Sequence, residues 1–493
     1  MDNKILEIEP DLKKIFDENS QFHDSNKINK LRRTINNFIK LCKSPNDIEY
    51  LKKYLMKIIS SHPEVKIQKD IFNKSGFRLL ILGIPYSINS GVVTVAKNII
   101  KAFQMKGANI AVVNHWWHRY HYWVDYSDHN KRRKQNVKMS PYSLLTGMGQ
   151  FVTLKWAFKL ILKSLINDYN YKPQICHVHT HTFYEDKAVQ YFHKYFPSTP
   201  IVFTLHAFIP YLRLSKPDKL RLLNDEFYWE EIVELRKKGY KKRERSQEKM
   251  IEISDKVITI SQVHKDAFDK IYPEFAQKCV CIPNGTDFEL YSEHKEVIEY
   301  EKLLRQKIIS NNEKTIIYVG RIEEKKNVQI LITALNDILK IHPNTKVIFV
   351  GPKEQDRIKI FNLGLHKKYS NNLFFAGWVK AKQLASYYRL ADVMIQPVFS
   401  KDLYAMVALE AMIMKVPVIS CPGVLTFENC SSTELIVKAV NKIFTNHKSV
   451  QRHVNHVHKQ VINDHSLSAI YRKHYEVYKS TKIASSELKT LKY

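Results

Sequence analysis

Two short segments of this 493-residue chain carry residue types that do chemistry together. In the first, the apolar run Thr315–Val319 leads into Gly320, Arg321 and Lys326, and a helical pattern follows from Val328. A buried strand, a glycine turn and a helix start beside two cations can hold a diphosphate, because helix-end amides and fixed positive charge both favour phosphate oxygens. In the second, Asp402 and Glu410 precede the apolar strand Val416–Ser420. On one helix, positions 402 and 410 would lie about 12 Å apart in rise and within a fraction of a turn of each other. Spaced carboxylates hold the hydroxyls of a sugar or a ribose. A nucleotide sugar needs both kinds of contact.

Alternating strand and helix patterns position these segments. Short apolar runs predict strands at Arg78–Gly83, Ile110–Val113, Ile175–His179, Ile201–Leu205, Lys256–Ile260 and Val280–Ile282. A second series predicts strands at Thr315–Val319, Lys346–Val350, Leu373–Phe375, Val393–Gln396 and Val416–Ser420. Helical patterns interleave with both, which implies α/β architecture with mostly parallel, doubly wound sheets. Two series make two Rossmann-like domains, with a junction near Asn284–Glu299. Ligands of such sheets bind beyond the carboxyl ends of the strands. The loops at Gly91, His206 and Gly320 are therefore the expected wall of a cleft between the domains.

Residues 1–75 read as a separate helical extension. Leu31, Ile35, Phe38, Ile39 and Cys42 share one helical face. Ser44, Pro45 and Asp47 then form a helix start with a hydroxyl cap, a first-turn proline and an acid at the positive end of the dipole. At the other end, residues 463–480 read as a closing helix. The boundaries that follow are 1–75, 76–287, 288–462 and 463–480.

Composition narrows the class. A formal net charge of +29 favours anionic partners, while 44% hydrophobic residues and only 13 glycines fit an ordinary globular protein. No nucleic-acid motif accompanies the charge, so no specific nucleic-acid partner is expected. The cysteines lack the spacing of a zinc site or a disulfide framework. With no signal-peptide pattern and no apolar stretch of spanning length, a reduced, cytoplasmic protein is expected. Phe151–Ile166 carries Lys155, Lys159 and Lys163 on one stripe, which fits either a helix lying on an anionic membrane or a core helix with a basic edge. The aromatic segment His115–Trp123 reads either as a stacking platform for an acceptor or as an irregular loop. His177, His179 and His181 alternate like zinc ligands, but a structural role is the simpler reading.

The segment Tyr318–Val328, with Gly320, Arg321 and Lys326, and the pair Asp402 and Glu410 ahead of Pro417–Ile419 resemble the motifs of retaining glycosyltransferases of family four. Ser90-Gly91, Pro173–His179, Pro200–His206, Ser254–Ser261 and Ile282–Asp287 support the resemblance in the family's order, and it spans about residues 77–480. It implies the GT-B fold, two Rossmann-like domains facing a central cleft. It also implies transfer of a sugar from a nucleoside diphosphate sugar to an acceptor hydroxyl with retention; the excess of cations fits a role in cell-envelope or surface glycan synthesis. The acceptor would be a glycan, a lipid-linked sugar or a small molecule, and neither a cofactor nor a metal is implied. Residue by residue, Arg321 and Lys326 match the cations on the donor diphosphate, Glu410 the acid on the ribose and Asp402 the acid on the donor sugar. His206 matches a histidine beside the reacting sugar, while Gly91 and Gly320 match tight turns near phosphate. The family usually has Glu at 402, glycine at 405, a small residue at 415 and acids at 174 and 207, where this chain has Asp402, Ala405, Lys415, Gln174 and Ala207. The alternative reading is an inactive relative that binds sugar nucleotides or serves as a scaffold.

Overall fold

Branched apolar runs become strands whose two faces are both covered, as parallel strands sheathed by helices must be. β1 (Arg78–Leu82) and β2 (Asn109–Trp116) pair in parallel, with Leu79 against Ile110. β3 (Arg119–Asp125) turns back antiparallel on β2, and β4 (Val137–Met139) adds antiparallel to β3. β5 (Ile175–Thr180) lies on the other flank of β1, and β6 (Ile201–Leu205) and β7 (Lys256–Thr259) continue outward. The order is β4-β3-β2-β1-β5-β6-β7. The antiparallel β2–β3 pairing replaces the irregular loop considered for His115–Trp123. Tyr, Trp and His alternate through Arg119–Trp123, and aromatic residues favour an extended, pleated backbone.

The computed structural model describes residues 13–14, 45–61, 76–83, 91–116, 119–125, 137–139, 162–163, 165–167, 170–180, 185–206, 242–292, 294–310, 313–323, 326–397, 406–420, 425–430 and 432–481. Asp402, His181, the helix expected at Leu31–Cys42 and most of Phe151–Ile166 lie outside them. The helix predicted to follow Ser44 runs over Pro45–Ser61 and buries Leu51 and Leu55.

The chain divides into two compact units. The first holds residues 1–209, 239–258 and 474–493, and the second holds 210–238 and 259–473. β8 (Cys279–Cys281) belongs to the second unit, where Thr259 donates its hydroxyl to the Val280 carbonyl. The six strands that follow are β9 (Lys314–Val319), β10 (Thr345–Val350), β11 (Leu373–Gly377), β12 (Val393–Gln396), β13 (Val418–Ser420) and β14 (Glu428–Asn429). They form a parallel sheet ordered β11-β10-β9-β12-β13-β14. The chain moves outward from β9 to β11, then returns to β12 and proceeds the other way. Its direction reverses between β9 and β12, and ligands of such sheets bind beyond the carboxyl ends of the strands at that reversal.

The helix Val328–Ile341 shows why the sheet is stable. Val328, Leu331, Ile332, Leu335, Ile338 and Leu339 recur at helical spacing and are fully buried on Ile316, Tyr318, Val347 and Phe349. Each such side chain contributes about 1.5–3 kcal/mol relative to exposure.

Candidate functional site

In the second unit, the turn after β9 is shaped by a close backbone approach. Gly320 has φ +151°, and a Cβ there would meet the Tyr318 hydroxyl at 3.1 Å. A Cβ on Gly351, φ +110°, would meet the Gly320 carbonyl oxygen at 2.7 Å. Only glycine fits where the turns after β9 and β10 cross at this distance. Tyr318, buried in β9, donates its hydroxyl to the Arg321 carbonyl at 2.8 Å and props the turn from beneath.

This framework leaves Arg321 outward. Its side chain is 71% exposed and pairs with Glu323 at 2.7 Å. The Lys326 amide donates to the Glu323 carbonyl at 2.9 Å, so both sequence-predicted cations and Glu323 belong to one tight turn. Asn327 then caps the Val328–Ile341 helix in a left-handed conformation, with no side-chain hydrogen bond to the first-turn amides. The arrangement offers positive charge beside helix amides, the chemistry a phosphate takes.

On the other side of the sheet reversal, the helix Met406–Ile413 runs between β12 and β13. Glu410 lies on it and is only 5% exposed, which excludes a solvated surface role. Tyr388, on the helix Ala381–Leu390, donates its hydroxyl to Glu410 Oε2 at 3.0 Å. The hydroxyl of Tyr291, at the end of the turn Phe288–Tyr291, also acts on this carboxylate. Burial raises the Glu410 carboxyl above the ordinary carboxylate range, and the two tyrosine hydroxyls partly oppose it. Burial is also the first cause that raises both tyrosines, so they stay protonated donors.

The helix carrying Glu410 ends in a Schellman motif. The Val416 amide donates to the Ala411 carbonyl at 3.0 Å and the Lys415 amide to the Met412 carbonyl at 3.1 Å. Lys415 occupies the left-handed position with φ +59°. That conformation explains why the resemblance expects a small residue there.

In the first unit, the predicted residues sit on the corresponding strand ends. Gly91 opens the helix Gly91–Gln104 that follows β1; it is exposed and a Cβ there would touch nothing within 4 Å. His206 follows β6 and is buried, with its Nε2 2.9 Å from the Nε2 of His179 on β5. The His179 Nε2 also lies 3.2 Å from the Val92 carbonyl oxygen. His177 has the structural role expected. Its Nδ1 lies 2.7 Å from the Tyr478 hydroxyl and its Nε2 2.7 Å from Thr204 Oγ1. Burial, and then the neighbouring His179 and His474, lower its pKa well below that of free histidine, so it is neutral. Gln174, standing where the resemblance expects an acid, binds the β1 backbone: its side-chain oxygen accepts from the Arg78 amide at 2.9 Å.

Tyr291, Tyr388, Glu323 and His179 were not singled out by the motifs as site residues. The one available signal was that a buried tyrosine hydroxyl needs a partner. It names no partner, because the partner comes from another strand or helix.

Comparison with known proteins agrees with this geometry. The family described as Glycosyltransferase Family 4 matches residues 89–290, and that described as Glycosyl transferases group 1 matches residues 299–476. Spore coat protein SA of Bacillus subtilis is 23% identical over 224 residues, 43% of this chain and 57% of that protein. The lipopolysaccharide 1,2-N-acetylglucosaminetransferase of Salmonella typhimurium is 27% identical over 165 residues, 32% of this chain and 41% of that protein. The matches to these curated relatives thus span roughly half their length. The crystal structure of Anabaena HepE in complex with UDP and glucose superimposes with a TM-score of 0.54 at 16% identity, covering 82% of this chain and 100% of that one. That likeness, with two doubly wound sheets, shows the GT-B fold. With adjoining family matches from residue 89 to 290 and from 299 to 476, the chain belongs to the family-four, group 1 glycosyltransferases.

Proposed function

We propose that this chain transfers a sugar from a nucleoside diphosphate sugar to an acceptor hydroxyl with retention of anomeric configuration. The observation that carries the reading is the reversal of strand order between β9 and β12, with the Gly320–Lys326 turn after one strand and the Glu410 helix after the other. UDP and glucose in the HepE complex support the ligand class.

The chemistry follows from charge. Departure of a nucleoside diphosphate builds negative charge on the phosphate oxygens, so Arg321, Lys326 and the first amides of the Val328–Ile341 helix stabilise the transition state more than the ground state. Glu410, held by the Tyr388 hydroxyl, accepts the ribose hydroxyls. Asp402 contacts the donor sugar. Gly91 leaves room at the start of its helix, and His206 borders the reacting sugar. Neither a metal nor a cofactor is part of the reaction. The acceptor is a glycan, a lipid-linked sugar or a small molecule of cell-envelope or surface synthesis. The net charge of +29 supports contact with an anionic inner membrane surface, and among the described residues no helix is long and apolar enough to cross a membrane.

A thermal-shift screen of nucleoside diphosphates and their sugars tests this. A ligand that binds only the folded chain raises its melting temperature by mass action. One diphosphate series is expected to raise it and Arg321→Ala to abolish the rise. No shift with any member at millimolar concentration sinks the reading.

A further inference from the structure

We infer that His179 is a positioning residue: the Val92 carbonyl requires a proton on its Nε2, and that proton obliges His206 to keep its own on Nδ1. The argument is one of donors and acceptors. A carbonyl oxygen only accepts, so the ring nitrogen that faces it at 3.2 Å carries hydrogen. The same Nε2–H of His179 faces the Nε2 of His206 at 2.9 Å. A second N–H there would set two hydrogens head to head, so His206 presents a lone pair. A neutral imidazole carries one proton, and that of His206 is then on Nδ1.

Three adjacent strand ends enforce the arrangement. Val92 lies in the helix that follows β1, His179 on β5 and His206 just after β6. The ring of His177 stands edge-on to that of His179, with centroids 5.7 Å apart, and is itself tied to Thr204 and Tyr478. That edge contact restrains the plane of His179 and with it the direction of its proton.

His206 therefore presents an N–H, and not a lone pair, on the nitrogen turned away from His179. A donor there suits an acceptor oxygen such as a sugar hydroxyl; this last step rests on the transfer reading proposed above, whereas the tautomer does not.

Neutron diffraction from deuterium-exchanged crystals of the full chain reads the tautomer directly. Deuterium is expected on Nε2 of His179 and on Nδ1 of His206. Deuterium on Nε2 of His206 overturns the inference, whatever the chain catalyses. The functional arm compares His179→Gln, whose amide can still donate, with His179→Phe, which cannot. The donor-sugar KM is expected to stay near wild type in the first and to rise about tenfold in the second, with kcat changed less. An equal rise in both variants reduces His179 to a packing residue. A chain that turns over no donor leaves the neutron measurement to decide the tautomer alone.

Discussion

Tyr388 donates its hydroxyl to Glu410 Oε2 at 3.0 Å, placing a phenol against the buried carboxylate that stands beside the sheet reversal. The Tyr291 hydroxyl acts on the same group and, like Tyr388, favours its charged form. A carboxylate so buried is costly to charge unless it is hydrogen-bonded, and the tyrosines partly offset that cost while fixing its direction.

The pH dependence of stability follows. Because burial raises the Glu410 carboxyl, the folded chain holds that proton more tightly than the unfolded chain. Stability therefore falls as pH rises from the ordinary carboxylate range through the folded value. Glu410→Gln removes this fall. Urea denaturation is expected to find the variant more stable than wild type at pH 8 and nearly equal to it at the acid end of the window. It should also bind nucleotide diphosphate sugar at least tenfold more weakly. Tyr388→Phe loses a donor that opposes the shift, so its stability should fall more steeply with pH than that of wild type. A Glu410→Gln chain less stable than wild type at pH 8 contradicts the account.

Arg321 offers a cleaner functional test because its removal should leave the fold intact. The side chain is largely exposed and its pairing with Glu323 is a surface ion pair, so Arg321→Ala should change stability by less than about 1 kcal/mol. Its kcat/KM for the donor should fall by roughly 10²-fold if the guanidinium meets the departing diphosphate. Initial rates with unchanged urea midpoints check both halves. Unchanged kcat/KM removes Arg321 from the site.

Lys415 is a residue where stability can be gained. It holds the left-handed position of the Schellman motif that ends the Glu410 helix, with φ +59°. Lys415→Gly relieves a side-chain clash worth about 1 kcal/mol, and the urea midpoint should rise accordingly. A lower midpoint would show that the lysine side chain contributes more than its backbone conformation costs.

Tyr478 packs against Phe77 and Phe103 and faces His177 Nδ1 at 2.7 Å. Tyr478→Phe keeps the ring and leaves that buried nitrogen without this partner, at a cost of about 1–3 kcal/mol. Equilibrium denaturation measures it. A loss below about 0.5 kcal/mol would mean that the imidazole finds another partner or turns over within the core.

Strand and helix positions were largely legible in the residues. Ile201–Leu205 and Val393–Gln396 appear at the expected bounds, because continuous branched apolar runs have few alternatives to a buried parallel strand. The Gly320–Lys326 turn was legible for the same local reason: a glycine at a strand end and cations before a helix are read from neighbours in sequence. The antiparallel β2–β3 pairing was missed because aromatic residues mixed with polar and basic ones over His115–Trp123 read equally as a loop.

What the amino-acid order alone determined is the list of elements and the chemistry at their ends. What only tertiary structure decided is which ends become neighbours. The reversal between β9 and β12, the tyrosines on Glu410 and the pairing of His179 with His206 all join groups from separate elements. Periodicity reports which face of an element is apolar, but it carries no information on the partner that covers it. That choice is made when strands pair and side chains pack, and it is there that a buried carboxylate acquires its two phenols and a histidine its tautomer.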